Sequence, residues 1–139
     1  MSDSQRFPVA AHVLAYLAHK DACDAASAVS SSELAQSVCT NPVVVRRVTA
    51  MLSRAGLIGT RRGATGGAWL ARPAAEIGLD AVLRAVNGCA RLGAPPVGSR
   101  DCPLGERLPK AVQAAITAAD EAAARQLGRT TVADLLAAE

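Results

Sequence analysis

Between Leu34 and Ala75 the chain carries six arginines, Arg46, Arg47, Arg54, Arg61, Arg62 and Arg72, and not one Asp or Glu. The formal net charge of the whole chain is only +3, so this stretch supplies +6 and the other residues sum to −3. The positive charge is local, which implies a docking face for a polyanion rather than general stickiness. Arginine suits that work because its planar fork grips a phosphate, or guanine O6 and N7, with two hydrogen bonds. The stretch closes on Arg61-Arg62-Gly63-Ala64-Thr65-Gly66-Gly67. Its glycines carry no side chains to block backbone approach to a narrow groove, and Arg62 is assigned the deeper contact there.

Four cysteines, Cys23, Cys39, Cys89 and Cys102, form the second chemistry-bearing set. They make no CxxC pair, and an ample aliphatic core leaves little need for disulfides, so reduced thiols are expected. Cys39, at the end of an apolar helix face, reads as a small buried hydrophobe. Cys89 and Cys102 leave two readings open. They are either buried in the same way, or a thiol switch whose oxidation reshapes the loop that holds them. Cys102 precedes an expected helix start, where the dipole favours a thiolate. As a nucleophile, Cys102 would have Asp101 or Glu106 beside it but no His placed to act as base. With no phosphate loop or metal motif either, the chain is not expected to be an enzyme. His12 and His19 read as a helix-face and a helix-end residue with no assigned chemistry.

The elements that must position the arginines follow from periodicity and caps. Val9, Val13, Leu14 and Leu17 recur at helical spacing from Arg6 to His19. Ser30 and Glu33 have capping-box spacing, which predicts a short helix from about Ser31 to Cys39. Asn41-Pro42 is a strong helix start, and the third helix should run to about Ala55. Along it Val45, Val48, Leu52 and Ala55 make one apolar face, leaving Val44, Arg46, Arg47, Ala50 and Arg54 over the rest. Gly56 suits a left-handed cap, and Leu57 to Thr60 with Trp69-Leu70 reads as a β-hairpin with an arginine-bearing tip. Trp69 is expected to be core beneath it.

After Pro73, a fourth helix should start near Leu79 and stop at Gly88, and Cys89 to Pro103 should be a loop. Leu104, Leu108, Val112, Ile116, Ala119, Ala123 and Leu127 then keep a three-to-four-residue rhythm, the pattern of one long helix. Thr131 with Asp134 starts a last short helix. The 139 residues are half apolar but have only Phe7, Tyr16 and Trp69 as aromatics, so the core should be close-packed aliphatic helices. Stacking on single-stranded nucleic acid is correspondingly unsupported. No basic start precedes an apolar run, and no stretch approaches the roughly 20 apolar residues of a membrane span, so a cytoplasmic protein without a membrane partner is expected.

The expected architecture is mainly α: a winged helix-turn-helix with a small two-stranded β wing and a long C-terminal dimerisation helix. Residues 1–72 would form the DNA-binding domain; residues 73–139 would hold a linker helix, the cysteine-containing loop and the dimerisation helices. The third helix of such a fold enters the major groove of double-stranded DNA. Thr40, Asn41, Val43, Val44, Arg46 and Arg47 are then the reading surface, with Arg54, Arg61, Arg62 and Gly63 bracing on the backbone or wing side. A winged helix that binds protein or RNA shares this fold and is the alternative reading.

Several segments together resemble one family. Ser32-Glu33-Leu34-Ala35, Asn41-Pro42-Val43-Val44-Val45-Arg46-Arg47, Ala55-Gly56-Leu57-Ile58, Arg62-Gly63 and Gly66-Gly67-Ala68-Trp69-Leu70 look like the Rrf2 family of bacterial transcription regulators, the family of IscR, NsrR and CymR. Arg6-Phe7, Cys102-Pro103-Leu104-Gly105 and Thr131-Val132-Ala133-Asp134-Leu135 are similar to its YwnA-like branch. The resemblance implies a homodimeric DNA-binding regulator, usually a repressor, whose long helix pairs with its counterpart. An apolar stripe from Leu104 to Leu127 agrees, since a two-fold partner would cover it and two recognition helices would then meet a pseudo-palindromic operator. Cluster-binding relatives hold iron and sulfur with three cysteines in the loop before that helix. Here only Cys89 and Cys102 are present, so no cofactor is expected.

Overall fold

The computed structural model describes residues 5–87 and 92–138. Cys89, one of the two candidate sensor thiols, lies outside the described residues. The chain runs α1 Arg6–His19, α2 Ser31–Val38, α3 Pro42–Arg54, β1 Ile58–Arg61, β2 Gly67–Leu70, α4 Leu79–Asn87, α5 Arg107–Leu127 and α6 Val132–Ala137, with single 3-10 turns at Ala25–Ser27 and Ala74–Glu76.

Local chemistry sets the helix starts where sequence spacing places them. Ser30 caps α2 by accepting from the Glu33 amide, and Asn41 caps α3 by accepting from the Val43 amide at 2.8 Å, with Pro42 at the first helical position. Thr131 and Asp134 form a complete reciprocal capping box at α6. Gly56 adopts φ +76° after α3, as its left-handed cap requires.

The hairpin is antiparallel, with Ile58 opposite Leu70 and Gly59 opposite Trp69. Trp69 is part-buried against the core, its indole lying across Gly59. A third segment joins the hairpin through an isolated bridge between Val29 and Ala68, with both backbone bonds at 2.9 Å. At Gly67 a β-carbon would meet the Val29 carbonyl at 2.3 Å, so this close approach admits only glycine.

The core is one aliphatic cluster. Val13, Leu14 and Leu17 of α1, Val45, Val48 and Leu52 of α3, Ile77, Val82 of α4 and Val132 of α6 are all fully buried in it. The far end of the chain is sewn in by backbone bonds from Leu79 to the Thr130 carbonyl and from Val132 to the Ile77 carbonyl, each 2.9 Å.

Three details depart from the sequence expectations. Leu104 precedes the long helix rather than opening it, because α5 begins at Arg107 with Pro109 inside its first turn, where the missing amide costs nothing. Cys102 is therefore five residues ahead of the first helical residue and not in the first turn of α5. Cys39 is exposed, not buried: as the C-cap of α2 it takes φ +61°, which swings it off the helix face that its sequence position continues.

The Glu33 amide is capped by Ser30, but the Glu33 side chain does not return the cap. Its Oε1 accepts a 2.7 Å hydrogen bond from the Tyr16 hydroxyl and lies 3.3 Å from Lys20 Nζ, tying α2 to α1. The Tyr16 hydrogen bond, aided by Lys20, holds the Glu33 carboxyl below its ordinary value of 4.5. A carboxylate with a lowered folded pKa stabilises the fold fully above that ordinary value and loses the contribution as pH falls through the folded value. Glu33→Gln should therefore be less stable than the parent protein at neutral pH, and the difference should shrink as pH drops below about 4.5; urea unfolding at a series of pH values measures it.

Candidate nucleic-acid interface

The geometry of α3 separates its two faces cleanly. Val45, Val48 and Leu52 are each 0% exposed and anchor the helix. Opposite them Val43, Arg46, Arg47, Ala50 and Arg54, at i, i+3, i+4, i+7 and i+11, are all exposed and form one stripe about 100° wide. Thr40 and Val44 are half-buried at its flank, and Asn41 is exposed but committed to its cap. Thr40 donates its amide to the Ala35 carbonyl at 3.1 Å, which fixes the turn between α2 and α3.

On the wing, Arg61, Arg62 and Gly63 are exposed. Arg61 is occupied in part: its Nη2 donates to the Thr65 carbonyl at 3.1 Å and braces the tip. Arg62 has no such tie among the described residues. Arg46, Arg47, Arg54, Arg61, Arg62 and Arg72 are all solvent-exposed, and among the described residues none forms an ion pair, unlike Lys20 with Glu33 and Arg84 with Asp80. Unpaired guanidinium groups on a rigid helix are competent to neutralise phosphates or grip guanine without first breaking an internal bond.

Sequence reasoning missed the neighbourhood of that turn. Gln36 and Cys39 line a shallow open hollow at the foot of α3 together with Thr40, Asn41 and Pro42. Gln36 faces it from α2, and Cys39 joins it through the left-handed cap, which no local sequence signal announces.

The candidate sensor loop is described from Leu92 onward. Around Cys102 it folds into two successive turns, with the Cys102 amide donating to the Ser99 carbonyl at 3.3 Å and the Gly105 amide to the Cys102 carbonyl at 2.9 Å. Cys102 is exposed. The expected dimerisation residues Leu108, Val112, Ala119 and Ala123 lie along α5 with Ile116 and Leu127, and no residue of that helix is buried. Leu108 is 52% and Val112 46% exposed, and Leu104 just ahead of the helix is 47% exposed.

Helix-turn-helix, wing and uncompensated arginine stripe define a winged-helix protein of the regulator class. The chain matches the family described as Rrf2, iron-dependent transcriptional regulator, over residues 3–138, and it belongs to that family. YwnA of Bacillus subtilis (strain 168), named as an HTH-type transcriptional regulator, is 31% identical over 134 residues that span 96% of each chain. A crystal structure of a transcriptional regulator from Lactobacillus plantarum has a TM-score of 0.77 at 28% identity, covering 96% of this chain and 88% of that one. CymR, the global cysteine regulator of B. subtilis, has a TM-score of 0.65 at 21% identity over 97% and 95% of the two chains, and shares the fold. The family is one of regulators, not of enzymes.

The family description raises iron, so the donor set matters. Among the described residues no three His, Cys, Asp or Glu side chains gather as a metal site. Cys23, Cys39 and Cys102 are exposed on separate segments. An iron–sulfur cluster takes about four ligands, mostly thiolates, and the loop before α5 has Cys102 and Cys89 alone, a set that does not fit one.

The arginine stripe depends on the start of α3. Replacing Asn41 by Ala should lower global stability by about 0.5–2 kcal/mol through loss of the cap. Chemical denaturation monitored by circular dichroism checks it, and an unchanged midpoint would contradict the role given to the Asn41 side chain.

Proposed function

We propose that the protein is a homodimeric, sequence-specific regulator that binds double-stranded DNA and represses by occupying its promoter. The observation that carries this reading is the exposed, acid-free stripe of α3 lying opposite its buried anchor face. In the proposed complex, residues 1–72 dock: Thr40, Asn41, Val43, Val44, Arg46 and Arg47 face the major groove, Arg54 braces on phosphate, and Arg61, Arg62 and Gly63 carry the wing to the adjacent minor groove. Residues 73–139 then provide the pairing of subunits. The setting is the cytoplasm, with no resident cofactor. Among the described residues no helix is long and apolar enough to cross a membrane.

Pairing along α5 is supported by its uncovered apolar edge. Leu108, Val112 and Ile116 with Ala119 and Ala123 repeat every three or four residues on one side, while Leu127 at the end of that side packs against the core of its own chain; water disfavours such a stripe. Two copies joined there would present two α3 helices to half-sites about 34–36 Å apart or a multiple of it, hence a pseudo-palindrome. A redox or small-molecule signal would enter through the loop before α5, where the exposed Cys102 thiol is open to oxidation and Cys89 is its proposed companion.

Gel-shift titration against the upstream region of its own gene tests the docking. Arg47→Ala should relax base preference or weaken binding by roughly 1–3 kcal/mol, whereas Arg54→Ala should act uniformly across sequences and reduce the salt slope by about one. Arg62→Ala should weaken binding through the wing. Unaltered affinity in the triple variant of Arg47, Arg54 and Arg62 would defeat the docking arrangement.

The pairing is tested separately by sedimentation. The parent protein should run as a dimer. Val112→Asp, at a site already open to solvent in the single chain, should run as a monomer that keeps the parent's helical circular-dichroism spectrum. A monomeric parent protein would remove the proposed symmetry.

A further inference from the structure

The exposed stripe of α3 is not uniformly charged. It opens on Val43, 49% exposed, one of the few large apolar side chains left in solvent, while Val45 two residues later is 0% exposed. Val43 stands outside the buried cluster and outside the set of residues packed against it. Its backbone is pinned, because its amide donates to Asn41 Oδ1 at 2.8 Å, and its β-branched side chain has little rotamer freedom in a helix. A stiff pair of methyl groups is thus held at the front of the helix, one turn before Arg46 and Arg47.

That side chain has no hydrogen-bonding group, so it can select only an apolar feature. On the floor of the major groove the one such feature is the C5 methyl of thymine. We propose that Val43 reads a thymine methyl in each half-site, beside the guanine or phosphate gripped by Arg46 or Arg47. This rests on the proposed docking of α3 in duplex DNA and adds the base that its first turn selects. Charge complementarity brings the stripe to DNA, and the apolar end of the stripe then discriminates by contact.

The experiment replaces an atom group in the DNA before any residue in the protein. Duplexes are selected from a random-sequence pool with the parent protein, and the enriched sequence is remade with uracil in place of each thymine in turn. Uracil keeps every hydrogen bond of thymine and lacks only the methyl. At one position per half-site the substitution should weaken binding roughly fourfold, the worth of one buried methyl group. Val43→Ser, at an exposed site and with a polar hydroxyl in place of the methyl pair, should bind thymine and uracil duplexes nearly alike at that position. Arg47→Ala should keep the thymine preference while losing affinity. Equal binding of thymine and uracil at every position, or a Val43→Ser protein that discriminates as strongly as the parent, overturns the inference while leaving DNA docking intact. A pool from which the parent protein enriches no sequence overturns the docking reading, and this inference with it.

Discussion

The architecture hangs on the burial of one face of α3. Val45, Val48 and Leu52 are wholly removed from water, and each such side chain contributes about 1.5–3 kcal/mol. Against this, crowding Arg46, Arg47 and Arg54 on the opposite face costs little, since like-charge pairs on a helix surface are worth only about 0.2–0.5 kcal/mol. The apolar term wins by a wide margin, so the helix can hold an uncompensated cationic stripe that electrostatics alone would disperse. The proposed docking uses the weaker term, and the fold secures it with the stronger one.

The same division explains how polar contacts are used elsewhere. Tyr16, Lys20 and Glu33 join α1 to α2 in a part-exposed cluster, and His12 Nε2 lies 2.9 Å from Ser37 Oγ along the same seam. These contacts are surface-facing, so they set the angle of α2 more than they stabilise the molecule. That angle decides where the turn at Thr40 delivers α3. No polar side chain is buried in the core among the described residues, so the interior contacts between the helices are apolar packing.

The parts of the fold written in short-range chemistry were legible in the sequence. Ser30, Asn41-Pro42 and Thr131 with Asp134 each announce a helix start within four residues, and the structure places α2, α3 and α6 behind them. What the sequence hides is non-local. The Val29 to Ala68 and Gly78 to Thr131 bridges join segments whose residues carry no sign of pairing. Glu33 has the spacing of a capping-box partner, yet its carboxylate goes to Tyr16, seventeen residues earlier. Cys39 has the periodicity of a buried residue and is exposed because one left-handed cap redirects it. For the candidate site, the arginine positions could be read from composition and helical phase. The apolar lead position at Val43 gains meaning only once its exposure is known, since valine inside a helix ordinarily signals core.

The two ends of α5 are held differently, and this bears on how the proposed signal at the loop would reach α3. At its C-terminal end the chain returns to the body through Thr130 to Leu79 and Ile77 to Val132, with Val132 fully buried beside α1. That root is continuous with the core that anchors α3. At its N-terminal end lie Leu104, Leu108 and the turns around Cys102, all exposed. If two copies pair along α5, a chemical change at Cys102 would act on the edge of the pairing surface and not on the frame of either reading head. Its effect would be to alter the separation or angle between two intact heads. Repression sensitive to that loop would therefore appear as a loss of two-site engagement, with the affinity of each half-site for its own head preserved.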